Sequence, residues 1–573
     1  MKWLTSFWLG LYLIMSFPMA GLCEEQPVDV VIVSSRANQI VHEKNEVRYR
    51  QGVKFWAAVC DQAGLSYRIA GDYELETGPG PARAYVLYLT TRLTPSQRAN
   101  LEELKKKGTG LILVGQTGAL DAQGKKTDSL ATKWFELTDV RAYAASKSAY
   151  FVNLHDTVMA LANVPGFRFE YDWAGTFVLA RSPYAIAANV DWLMNPFPEP
   201  DSYQANTTIA ARILDGSRMA WFGVQPDVIV ADKEEQQVFI KKSVIALLRW
   251  VVREPVALPC HWEGCRNTAT VVTADVEDRF HTGNSIGLAC HKEGVKGSFF
   301  LVGSLAPNYP DAVMALAQSG EIGSHSITHK SFRKRSLEDQ LAELTKWTAI
   351  MKKMGVNEVI GFRPPMEQYD EATIEAVGKA GLKFIYGNLD YDRSYPILRD
   401  VNGIHVYQFA RIVADDYNLV VEHGVKNAAQ YKAGYVKEFG RIEAMGALFP
   451  FSFHTNYLAL DETVDVIRGM IRHCKESNSW ITTFGSIVEW LEKRQSVLTT
   501  TSITDGIVTL VVENSGQKAV TAFPVRYFPA RDNLRVDVLG TPEEGIKLTP
   551  RVSGGVVVFV DLKPGEIRTI HLR

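Results

Sequence analysis

Two histidines four positions apart, in His325-Ser326-Ile327-Thr328-His329, are the sharpest chemical signal in the chain. On one helical turn that spacing turns both rings to the same side. Neutral imidazoles suit zinc, cobalt, nickel or iron, and a packed or hydrogen-bonded pair is the competing reading. The preceding Glu321-Ile322-Gly323-Ser324 reads as a strand end entering a turn, a rim position that metal ligands need. Asp275, Glu277 and Asp278 follow directly on the apolar run at 269–274. Such a cluster fits a solvated loop or an acid-stabilised helix start. It equally fits a divided set, one carboxylate ligating a metal and another taking a proton from water that the metal acidifies. Arg363, in Gly361-Phe362-Arg363-Pro364-Pro365, offers a planar fork that can keep a carboxylate ionised and oriented, in a loop stiffened by two prolines. His454 ends the run Phe451-Ser452-Phe453 and precedes Thr455-Asn456. With a near-neutral pKa it can protonate a leaving amine; a satisfied core histidine is the plainer account.

Elements of an α/β chain must position these groups. Between 267 and 495, short strands alternate with helices, which argues for an eight-fold or irregular β/α barrel with its chemistry at the strand ends. Before it, residues 27–253 carry nearly continuous apolar runs near 29–35, 84–90 and 110–115, suited to strands covered on both faces. Thr94, Pro95 and Gln97 mark a helix start with a capping box between the last two. This predicts a parallel, flavodoxin-like α/β domain. Pro255, Pro259 and the polar stretch after Cys265 mark a linker. From 499 to 573, short β-branched runs separated by Gly, Asn and Pro predict a small β-sandwich.

The 573 residues are enough for several cores, and 46% of them are hydrophobic against 22% charged, an ordinary composition for a globular chain. A net charge of -2 and only short basic runs, such as Lys105-Lys106-Lys107, leave no nucleic-acid partner to expect. Residues 1–23 begin with Lys2, run apolar from Trp3 to Met19 and end in small residues, the pattern of a secretory signal peptide. Retained, the segment would instead anchor the protein to a membrane or envelope. Either way a secreted, periplasmic or extracellular location is expected. Export permits disulfides, and Cys260 and Cys265 bracket a loop they could bridge; the same Cys-His-Trp-Glu-Gly-Cys stretch also reads as a loose metal site. Cys60, in an amphipathic helix pattern, reads as core packing.

Taken in order, the 267–495 motifs resemble those of the polysaccharide deacetylase family, the NodB homology domain. Thr273-Ala274-Asp275-Val276-Glu277-Asp278 stands for its first motif, His325 to His329 for its second, Phe362-Arg363-Pro364-Pro365 for its third and Phe451-Ser452-Phe453-His454-Thr455-Asn456 for its fifth. Met366 stands where a Tyr is frequent. The resemblance implies hydrolysis of N-acetyl groups on an extracellular or cell-wall polysaccharide, with release of acetate. It implies Asp275 as base, His454 as acid, Arg363 as the carboxylate's support, and His325 and His329 as ligands of a divalent metal, zinc by default. The third ligand usually adjoins the base, but Val276 cannot ligate, so Glu277 and Asp278 both remain. The fourth motif is weakest; Asp390 or Asp392 would line the pocket or orient the histidine. Residues 27–253 resemble the class I glutamine amidotransferase-like fold without a nucleophilic cysteine: Gly115-Gln116-Thr117-Gly118 occupies the comparable turn. Two other readings remain, a degenerate barrel that binds glycan without turnover and a related non-peptide amide or ester hydrolase.

Overall fold

A computed structural model describes residues 28–42, 46–78, 80–144, 150–155, 157–166, 168–170, 176–190, 202–228, 234–387, 395–457, 461–530, 537–538, 545–550 and 555–572. The 1–23 segment and both Asp390 and Asp392 therefore lie outside the described residues. Among the described residues, no helix is long and apolar enough to cross a membrane.

The first sheet grows from β1 (Val28–Val33), β2 (Tyr67–Ala70), β3 (Ala82–Tyr88), β4 (Gly110–Val114) and β5 (Ser217–Phe222). They lie side by side in the order β2-β1-β3-β4-β5, all parallel. Their apolar runs are buried because helices cover both faces. α1 (Glu46–Ala63) packs Trp56 and Val59 beside Val30 and Ile32. On the other face α2 (Asp72–Thr77) and α3 (Pro95–Lys106) bring Leu75 and Leu101 against Val31 and Val33. The capping box forms as read: Thr94 Oγ1 accepts from the Gln97 amide at 3.1 Å and Gln97 Oε1 from the Thr94 amide at 3.0 Å. Cys60 is buried in the α1 core, its thiol pushed up to about 12 by burial. Contrary to the parallel domain expected above, the sheet is mixed. Beyond β5 it continues through antiparallel strands Thr207–Leu214, Ala185–Val190, Tyr150–Asn153 and Arg168–Glu170.

Residues 256–259, expected as linker, form β6 (Val256–Pro259). Its alternate residues bury into existing cores and its backbone pairs antiparallel with a strand far along the chain, so a sequence bounded by two prolines still earns a place at a sheet edge. Cys260 and Cys265, directly after it, are joined as a disulfide, and the metal reading of that loop does not stand.

The central sheet comprises β7 (Ala269–Val276), β8 (Gly297–Leu301), β9 (Gly320–Ser324), β10 (Val359–Phe362), β11 (Phe384–Gly387), β12 (Ile404–Ala410) and β13 (Leu448–His454). They run parallel in the order β12-β11-β10-β9-β8-β7-β13. The sheet curls: Phe300 of β8 and Phe384 of β11, three strands apart, bring their rings to 6.3 Å. Glycines on the strands between make room. A Cβ on Gly361 would collide with the Phe384 ring, and one on Gly323 with Phe300. Eight-fold closure is not seen; among the described residues no backbone pairing joins β12 to β13. A carboxylate bridges that seam instead, as described below.

After the helix Phe484–Ser496, the chain forms two antiparallel sheets. One is Val497–Thr504, Ile507–Asn514 and Ile567–Leu572; the other joins Val520–Phe528, Val556–Leu562 and Ile546–Pro550 to β6. Both contribute to one core with Trp490 of the preceding helix.

Candidate metal centre

At the carboxyl ends of β7, β9, β10, β12 and β13 lies a cavity of about 770 Å³. Asp275 and Glu277 line the cavity, while Val276 between them is buried against Phe280, Ile286 and Leu301 in the helix-side core. Asp278 is exposed and joins no ligand group. Of the two acids left open above, the structure brings only Glu277 to the histidines; Asp278 lies exposed in the bend that follows β7.

His325 and His329 approach without a helical turn. β9 ends at Ser324, and the pair sits in a loop with left-handed backbone at Ser326 and His329. Ser326 Oγ accepts from the His329 amide at 2.9 Å, a local side-chain bond that competes with helix. The loop is pinned further by the Gly303 and Ser304 amides on the Ser326 and Ile327 carbonyls, and by Glu343 on the Ile327 amide. The two rings lie 4.9 Å apart. Glu277 Oε1 is 3.0 Å from His329 Nε2 and 3.7 Å from His325 Nε2. One atom from each of the three residues falls within 4.8 Å of the others. His325 Nδ1 is 2.8 Å from the Arg363 carbonyl. A carbonyl only accepts, so Nδ1 carries the proton and Nε2 keeps its lone pair toward Glu277. Asn456 Nδ2 donates to the other Glu277 oxygen at 3.0 Å. Burial would raise the Glu277 pKa, but the two histidines hold it well below the carboxylate range and Glu277 in turn raises that of His329. This donor set, two imidazole nitrogens and one carboxylate, fits a divalent transition metal.

Beside it, Asp275 and Arg363 are each 2% exposed and joined by Nε and Oδ2 at 2.6 Å. The arginine is therefore no surface residue. Burial would push the Asp275 carboxyl up; Arg363, and after it the neighbouring histidines, hold it below its ordinary value. Asp275 Oδ1 is buried with no hydrogen-bond partner among the described residues. Arg363 Nη2 reaches Glu367 at 3.0 Å, and Arg411 Nε holds the same Glu367 oxygen at 2.6 Å. Burial opposes the Glu367 charge, yet the two guanidiniums bring its pKa to about 2.

His454 Nε2 lies 3.5 Å from Asp275 Oδ2 on the other side of the cavity. Its orienting partner is Asp416, just past β12. Asp416 Oδ1 is 2.7 Å from His454 Nδ1, and Oδ2 accepts from the His454 amide at 2.8 Å. One buried carboxylate thus closes the β12–β13 seam and fixes the ring. Burial disfavours the imidazolium, but Asp416 outweighs it and raises the His454 pKa. Asp415, Asp416 and His454 form a second group of ligand-type atoms within 4.8 Å. Sequence reasoning missed Asp416, Arg411 and Glu367. The first lies six residues beyond β12, at the start of a helical turn, and no strand pattern in the sequence points to it.

Both clusters and the fold are consistent with metal-dependent hydrolysis of the carbohydrate-esterase type. No curated protein matches the chain. Among solved structures, the chain is similar to Agd3, a carbohydrate deacetylase, at 11% identity and a TM-score of 0.44, over 95% of this chain and 99% of that one. It is similar to the PuuE allantoinase at 13% identity and 0.37, over 40% and 91%. With BA3943 of Bacillus anthracis, a CE4 family pseudoenzyme, the figures are 14% and 0.29, over 39% and 65%. Residues 288–385, which contain His325, His329 and Arg363, match the family model described as polysaccharide deacetylase.

Proposed function

We propose that the protein is a metal-dependent deacetylase that hydrolyses N-acetyl groups on an extracellular or cell-wall polysaccharide. The observation that carries this reading is the convergence of three groups on one cavity: Glu277 with His325 and His329, Asp275 on Arg363, and His454 on Asp416. Glu277, His325 and His329 would hold the metal, zinc by default; when bound it would supply Lewis acidity to the amide carbonyl and acidify a water. Asp275 is built to accept the proton of the attacking water. Its Oδ2 is occupied by Arg363, whereas Oδ1 is free to take a proton. His454, kept protonated and oriented by Asp416, donates to the departing amine. The mouth of the cavity suits a sugar chain: Met366, Tyr417 and Tyr457 line it and are 55%, 40% and 39% exposed, offering apolar faces to pyranose rings. We read residues 27–253 as a non-catalytic domain of flavodoxin-like, amidotransferase-like type, on its β2-β1-β3-β4-β5 order, and 499–573 with β6 as an accessory β-sandwich. Residues 1–23 would direct the chain to the secreted, periplasmic or envelope space. Zinc reconstitution followed by acetate measurement on N-acetylglucosamine oligosaccharides tests the proposal. Absence of both stoichiometric metal and acetate release would overturn it.

A further inference from the structure

The first sheet has a crevice of its own, lined by none of the residues of the metal centre. The helix after β1, α1, packs on one face of the sheet, while the helix after β3, α3, packs on the other. Neighbouring strands whose connections leave to opposite faces open a gap at their carboxyl ends, the usual place for a ligand in such sheets. Here that gap holds a cavity of about 320 Å³, lined by Asp72, Tyr73, Glu76, Arg92, Thr94 and Gln97. The size is at the low end for ligand sites, enough for one ring rather than a dinucleotide.

The lining selects the chemistry. Arg92 has a buried Nε with no hydrogen-bond partner among the described residues. Its backbone is fixed, with the amide donating to Asn38 Oδ1 at 2.6 Å and the carbonyl accepting from Asn38 Nδ2 at 3.0 Å. With its backbone clamped, the Arg92 side chain is held at the cavity wall as a fixed positive charge, its Nε covered from solvent. Two carboxylates share the cavity. Asp72 uses one oxygen on the Ala37 amide at 3.0 Å, and Glu76 uses one on Thr94 Oγ1 at 2.5 Å. The second oxygen of each accepts nothing in these bonds. Tyr73 stands at the rim, 75% exposed. Two acids against one arginine repel a phosphate or uronate, and the Ala37 amide that could meet an anion is already taken by Asp72. Hydroxyl groups satisfy both the guanidinium and the carboxylates, an ammonium balances the surplus negative charge, and a tyrosine face receives an apolar ring face.

We propose that this crevice is a saccharide subsite that holds an amino-sugar residue of a deacetylated glycan. The choice of an amino sugar rests on the deacetylase reading; the geometry of the crevice does not. The site would keep the enzyme on polymer that it has already modified.

The test is calorimetric titration of the full-length protein with glucosamine oligosaccharides, run beside Tyr73→Ala and Glu76→Gln. Tyr73 is exposed, and a glutamine keeps the oxygen that Thr94 donates to, so neither change removes a core contact. Thermal melting checks that both variants fold. The expected result is at least tenfold weaker binding in each variant, with acetate release from a short N-acetylglucosamine oligosaccharide within twofold of the unaltered protein. Unchanged binding in both variants, or uronate oligosaccharides binding as tightly through Tyr73, would overturn the subsite. Tyr73-dependent binding without acetate release from any protein would support the subsite and sink the deacetylase reading alone. Acetate release with binding indifferent to Tyr73 and Glu76 would do the reverse.

Discussion

Replacing Asp416 with asparagine probes the proposed acid most directly. Asp416 accepts two hydrogen bonds from one residue, the His454 amide at 2.8 Å and its Nδ1 at 2.7 Å. An asparagine has one accepting oxygen and one donating nitrogen. The backbone N–H cannot change its role, so the oxygen stays there and the NH₂ faces Nδ1. That nitrogen must then be unprotonated, which is incompatible with an imidazolium. The electrostatic loss is of similar weight. A unit charge pair at that 2.7 Å spacing is worth about 6 kcal/mol at an effective dielectric near 20. Expressed in the protonation equilibrium of His454, that is about four orders of magnitude in the fraction of enzyme that holds the acid's proton. The assay is steady-state acetate release from N-acetylglucosamine oligosaccharides across pH. An acid with a raised pKa stays protonated, and active, to higher pH, and activity falls as pH rises through that pKa. Asp416→Asn should therefore lower kcat by about 10³ to 10⁴ and move the alkaline limb at least two pH units down, with KM and zinc content little changed. A folded variant with kcat within tenfold and the alkaline limb unmoved would refute the role of Asp416, and with it the assignment of His454 as acid.

Glu277→Gln and His325→Ala should each lose stoichiometric zinc and activity together, whereas Asp278→Asn should stay within about twofold in both; metal analysis after dialysis reads the difference. Glu367→Ala should destabilise the fold by about 3–5 kcal/mol in denaturant titration, because it removes the buried carboxylate shared by Arg363 Nη2 and Arg411 Nε and leaves those donors without it. His261 is buried with Nε2 2.6 Å from the Asn163 carbonyl, and burial, then Arg494, push its pKa down to about 3. Its neutral form therefore contributes stability that is complete above about pH 6.5 and lost as pH falls toward 3, at about 1.4 kcal/mol per unit. Chemical denaturation of His261→Gln against pH should show a slope shallower by that amount between about pH 6 and 4; equal slopes would rule it out.

The chemistry was more legible than the geometry that delivers it. Motif order brought Asp275, His325, His329, Arg363 and His454 to one cavity because each lies at a strand end of the same parallel sheet or in the loop that follows it. The choice between Glu277 and Asp278 was not legible, because both lie in the bend after β7, where strand alternation no longer sets direction. His325 to His329 looked like a helical turn because spacing alone cannot register Ser326, whose hydroxyl captures the His329 amide and ends that option. Asp416 escaped notice because its task depends on the β12–β13 seam, a tertiary fact. β6 was hidden for the same reason: four residues between prolines acquire strand character only from a partner elsewhere in the chain.

That partner lies remote in time as well as in sequence. Val256 pairs with Phe528, about 270 residues later. At the ~5–20 residues per second of synthesis, β6 leaves the ribosome roughly 15 to 50 s before its neighbour exists. The whole central sheet must emerge while that edge stays unsatisfied, and its closure brings a stretch preceding the metal centre together with one following it. Residues 525–528 therefore complete a surface begun at 256–259, and a nascent chain halted before them would leave β6 without the neighbour it pairs with in the folded protein.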